Sequence, residues 1–114
     1  MKMIFFTLTI SVLFLTACTK KEEHKDIVSN SDFCKVIDDL SKSIMVNRQT
    51  GMAMVDSMSI ANNIEDEQMK GLVQAIVNDA YAEPRYSVEE NQEKAVTDFR
   101  NKMYHACINR TNAN

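Results

Sequence analysis

The chain has no tryptophan, one proline and two glycines in 114 residues. Turns in β-rich proteins consume Gly and Pro, so this scarcity points to helices joined by short connections. A basic excess is missing as well: 13 Lys and Arg stand against 16 Asp and Glu, a formal net charge of −3. Nucleic acid is not an expected partner, because it asks for a basic patch, and charge alone gives no adhesion to anionic lipid. The chain also lacks a Gly-x-Ser-x-Gly elbow, a phosphate loop and a dinucleotide fingerprint, and its only histidines are His24 and His105. What remains is 25% charged and 45% hydrophobic, an ordinary globular composition long enough for one domain.

The N-terminus is a different material. Lys2 gives a positive start, Met3 to Leu15 is uncharged and mostly apolar, and Thr16-Ala17-Cys18 follows. That order describes a secretory signal, with a core too short to span a membrane, which takes about 20 apolar residues. Leu15-Thr16-Ala17-Cys18 resembles the lipobox of bacterial lipoproteins. The resemblance implies that residues 1–17 are a signal peptide, removed before Cys18, and that Cys18 is lipidated. Several acyl chains make a stable anchor where one is marginal. Thr19, where aspartate would favour inner-membrane retention, implies the periplasmic leaflet of the outer membrane. From Cys18 onward there are twelve basic residues (thirteen less Lys2) and sixteen acidic ones.

Residues 18–30, with His24 among them, read as a lipidated, charged tether, and 31–114 as a helical domain with a short polar tail. Asn30 or Ser31 is the expected cap of a first helix in which Phe33, Ile37, Leu40 and Ile44 recur at helical spacing, widened by Val36 and Met45. Thr50-Gly51 ends it, since glycine accepts the left-handed conformation. A second helix over 52–62 is expected to turn Val55 and Met58 inward. A third carries Ile64, Met69, Leu72, Val73, Ile76, Val77 and Ala80, with acidic residues at its positive end and Pro84 stopping it. Ser87-Val88-Glu89-Glu90 matches a capping box for a fourth, with Val88, Gln92, Ala95, Phe99 and Met103 on one stripe and Val96 and Cys107 beside it. The expected class is all-α, a small four-helix up-down bundle.

With Cys18 lipidated, Cys34 and Cys107 remain. They fall at the same end of an up-down bundle, and an oxidising periplasm favours their pairing. Closing a loop of about 74 residues stabilises by roughly 4 kcal/mol in the chain-entropy model. No C-x-x-C spacing points to redox chemistry.

Candidate chemistry is thin. The carboxylate runs at 38–39, 65–67 and 89–90 sit at helix starts or on polar faces, where they complement dipoles and dissolve the surface. No enzyme activity, cofactor or small-molecule substrate is expected. His105 and Cys107 lie about 200° apart on a helix and do not converge on a metal. Met52, Met54 and Met58, with Met45 nearby, are soft thioethers that suit Cu(I), although methionine more commonly fills cores and adaptable surfaces. Two connections offer recognition chemistry: one with Arg48 just before Gly51, and one carrying Tyr81, Arg85 and Tyr86 around Pro84. Tyr and Arg dominate binding hot spots.

The layout of Cys34, Arg48-Gln49-x-Gly51, Ala80-Tyr81-x-x-Pro84-x-Tyr86, Phe99 and Cys107 resembles small exported one-disulfide helical proteins of Gram-negative bacteria and their phages. That resemblance implies no particular activity. Size, helicity and a single disulfide are also similar to periplasmic acid-stress chaperones, without a shared motif. The expected function is therefore non-catalytic binding of a periplasmic or envelope protein, of an immunity or phage-exclusion kind. Acid-stress chaperoning and methionine-based copper handling are the alternatives.

Overall fold

The computed structural model describes residues 30–113. These form four helices: α1 (Asn30–Thr50), α2 (Met54–Asn62), α3 (Glu67–Ala82) and α4 (Glu89–Asn112). No strand occurs among the described residues. The expected signal peptide, Cys18 and residues 19–29 of the expected tether, His24 included, lie outside them, whereas Asn30 belongs to α1.

Each boundary has a local cause. Gly51, at φ +94°, is the one residue of left-handed φ among those described and ends α1 where expected. Asp66 caps α3, its carboxylate accepting from the Met69 amide at 2.7 Å. α3 stops at Ala82, two residues before Pro84. Three local expectations are corrected. The chain is already helical at Asn30, so neither Asn30 nor Ser31 is a cap. The capping box at Ser87 does not form: the N-cap of α4 is Val88, without a side-chain cap bond. The fourth helix continues through Asn112, which leaves little of the anticipated polar tail.

The disulfide joins Cys34 to Cys107, with Cα atoms 5.6 Å apart and a sequence separation of 73. It sits near the N-terminus of α1 and towards the C-terminus of α4, so these helices run antiparallel. A second tie confirms the direction. Arg100 donates through Nε to Asp38 Oδ1 at 2.9 Å, and its Nη2 reaches the other carboxylate oxygen. α1 packs most extensively on α4, and also on α3, while the short α2 leans on α3.

The core comprises Ile37, Ile44 and Met45 of α1, Ala61 of α2, Val73, Ile76, Val77 and Ala80 of α3, and Phe99 of α4. Full burial of each larger side chain stabilises by about 1.5–3 kcal/mol. Phe33, Leu40, Met58, Ile64, Met69 and Leu72 pack around it. Val36, Val55 and Val88, expected inward, are 46%, 72% and 55% exposed. α2 explains Val55: it meets α3 through the small residues Ser57 and Ala61, one turn apart, and Val55 lies about 200° from Ser57. Among the described residues every buried side-chain nitrogen or oxygen has a hydrogen-bond partner. Within the same residues no helix is long and apolar enough to cross a membrane.

Candidate functional site

The two connections singled out by their Tyr and Arg content meet in space, at the end of the domain away from the disulfide. Gln49 is what joins them. It faces inward from the last turn of α1, 2% exposed, in register with the buried Ser41 and Met45. Its Nε2 donates to the Pro84 carbonyl at 2.8 Å, and its Oε1 accepts from the Tyr86 amide at 2.9 Å. The side-chain amide thus pairs with the loop backbone much as a neighbouring strand would.

Arg85 returns the connection. Its Nε donates to the Gln49 carbonyl at 3.1 Å, satisfying one of the acceptors that a helix C-terminus leaves open. The guanidinium then lies over Gly51, where an added Cβ would stand 2.9 Å from Nη2. Arg48 donates through Nε to the Glu83 carbonyl at 3.2 Å, and its guanidinium carbon lies 5.3 Å from the centre of the Tyr81 ring. The Tyr81 hydroxyl donates to the Met52 carbonyl at 2.8 Å and lies 2.8 Å from the Ser57 hydroxyl. This clasp locks the end of α1 to the α3–α4 loop and to the start of α2.

The four recognition candidates therefore have different fates. Arg48 and Tyr81 are half-buried and committed to the clasp; Arg85 is exposed along part of its length while holding the end of α1. The hydrogen bonds that hold Tyr86 are made by its backbone, with Gln49 and with Gln92, whose Nε2 donates to the Tyr86 carbonyl at 2.6 Å. Its ring remains 38% exposed, close in sequence to the exposed Val88. On the α1–α4 side a shallow groove of about 450 Å³ includes Val46, Thr50, Glu89, Gln92 and Val96.

The methionines separate. Met45 is 1% exposed in the core, Met52 and Met58 are half-buried, and Met54 is 37% exposed. The Met52 sulfur accepts the Ser57 hydroxyl at 3.3 Å, so it takes part in the clasp. Met54 and Met58 are one turn apart on α2. His105 is exposed, with Asn109 as its neighbour one turn on. Among the described residues no three His, Cys, Asp or Glu side chains gather as metal ligands would.

Charge is perturbed chiefly at the tie between α1 and α4. The hydrogen bond from Arg100 holds the Asp38 carboxyl below its usual range, with the positive charges of Arg100 and Lys42 adding to the effect against the cost of burial. The Arg100 guanidinium is held protonated in return. Such a pair braces two helices, beside a shallow pocket of about 280 Å³ that Thr97, Asn101 and Tyr104 also line.

Sequence reasoning placed Gln49 in the Arg48–Gly51 connection without its buried, bridging role, and passed over Ser57. The signal was there: a polar residue at the buried register of an apolar stripe needs a partner, and Gln49 continues the 41–45 register. No protein-family model, curated protein or solved structure matches this chain.

Proposed function

We propose that this chain is an exported lipoprotein, held at a membrane by lipid on Cys18, whose domain binds a periplasmic or envelope protein without catalysis. In this reading the four helices follow one another in up-down order, the signal peptide is removed, and the domain inhibits or protects its partner. The carrying observation is the division of the three cysteines. Cys34 and Cys107 are joined, which suits an oxidising compartment, and the one left over is Cys18, at the end of the apolar N-terminal run. Periplasmic exposure and lipidation account for all three together. The surface best suited to a partner is the clasp end, where the Tyr86 ring and Val88 stay exposed on a backbone fixed by Gln49. A rigid aromatic on a fixed loop loses little entropy on binding.

Intact mass of the protein from native membranes tests the address. The expected species begins at acylated Cys18 and is two hydrogens light for the disulfide. A species that retains Met1 and carries no acyl chain would overturn it. Crosslinking and pull-down from the same membranes tests the binding. Recovery of one envelope protein, lost on Tyr86→Ala with an unchanged melting temperature, is the expected result; equal recovery from both forms counts against the clasp surface.

A further inference from the structure

α3 and α4 barely touch, although both pack on α1. Between them runs an open trough of about 320 Å³, floored by Phe33 and Ile37 and walled by Leu72 and Ile76 on one side, Met103 and Cys107 on the other. Its shoulders are small: Ala75 on α3 and Ala106 on α4, both exposed. Small shoulders let another helix come close, and the apolar lining continues past Leu72 to Met69.

The charges on the rims are sorted by wall. Asp79 stands on the α3 rim, and Lys102 and Arg110 stand on the α4 rim. Neither Asp79 nor Arg110 forms an ion pair among the described residues. Lys102 reaches Glu83 only at 3.4 Å, with its side chain 56% exposed. The Glu83–Lys102 contact brings the end of α3 beside Lys102. Counting one turn back along α3 and one turn on along α4 puts Asp79 near Ala106, between Lys102 and Arg110, each about 6 Å away along the axis, and all four residues line the trough.

An acidic wall facing a basic wall is what a two-fold interface needs, because each patch must complement itself. A second copy, turned about an axis parallel to the trough, lays its α3 over the first copy's α4 and its α4 over the first copy's α3. Each Asp79 then lies between Lys102 and Arg110 of the other copy, twice over, and the apolar linings cover one another. We propose that this trough is a self-association face and that its occupant is a second copy of the chain. The surface is separate from Tyr86 and the inference does not depend on the envelope reading.

Sedimentation equilibrium of the chain as isolated from cells, over a wide concentration range, tests it. The expected result is a concentration-dependent dimer. Asp79→Arg in one variant, and Lys102→Glu with Arg110→Glu in a second, each weaken the dimer about tenfold, since like charges then face each other at both symmetric positions. Mixed in equal amounts the two variants associate again, because each altered wall meets its complement. All three positions are exposed, so the melting temperatures stay near the parent's. A monomer at every concentration overturns the proposal, including one that captures an unrelated protein in the trough. So does a mixture that associates no better than either variant alone.

Discussion

Gln49 offers the sharpest test of how the domain is closed. Replacing it with leucine keeps most of the volume and removes both side-chain bonds, to the Pro84 carbonyl and from the Tyr86 amide. A typical bond contributes a net 0.5–1.5 kcal/mol, so Gln49→Leu is expected to cost about 2 kcal/mol. Gln49→Ala adds a void at a site only 2% exposed and is expected to cost about 1 kcal/mol more. A domain of this size loses about 4–8 °C of melting temperature per kcal/mol, which places the leucine variant about 8–16 °C below the parent. The assay is a far-ultraviolet circular dichroism melt without reductant, so that the disulfide is constant. Hydrogen exchange adds a local reading, because the Tyr86 amide should lose its protection in both variants. A Gln49→Leu protein melting within about 3 °C of the parent, with Tyr86 still protected, would refute the clasp as an energetic unit.

Gly51→Ala is expected to destabilise by about 1–2 kcal/mol, read in the same melt, because a left-handed residue acquires a side chain and Arg85 must give way at 2.9 Å. Asp38→Asn tests the tie between α1 and α4. Its carboxyl is held below the usual range in the folded state, chiefly by the Arg100 hydrogen bond, so its contribution is present above about pH 4 and is lost as the pH falls through the folded value. The variant should therefore melt a few degrees below the parent at pH 7, and the two should converge on acidification.

Much of the helical layout is legible because its signals are local. Gly51, Pro84 and the acidic run before α3 act within a few residues, and the stripe through Ile37 and Ile44 repeats at helical spacing. The disulfide is legible for a different reason: Cys34 lies early in the first helix and Cys107 late in the last, and antiparallel packing of α1 and α4 brings such positions together. The misjudged positions, Val36, Val55 and Val88, fail in one way. Hydrophobicity says that a side chain favours burial, whereas the partner helix decides which face is covered. α2 is nine residues long and lies on α3 through Ser57 and Ala61, so small residues are the buried ones while Val55 and Ile60 face out. Ser87 fails differently. Its motif matches a cap, but Gln49 and Gln92 hold the backbone of Tyr86 just before it, and α4 starts only after Val88.

The clasp shows why recognition is harder to read than fold. Tyr and Arg crowd binding surfaces because each pairs a large contact area with polar atoms that need partners. The same property suits them to tie a chain to itself, and composition does not separate the uses. What separates them is where the polar atoms are satisfied. The guanidinium of Arg48 and the hydroxyl of Tyr81 have their partners within the domain, so recruiting either would break a bond already made. The hydrogen bonds of Tyr86 are made by its backbone, and its ring adds nothing to the clasp's hydrogen bonds. Tyr86 is 38% exposed on a backbone held in place, which is why the proposed reading puts the contact there. The two tyrosines thus differ: Tyr81, in the last turn of α3, holds the end of α1, and Tyr86, in the loop that follows, would in the proposed reading meet the partner.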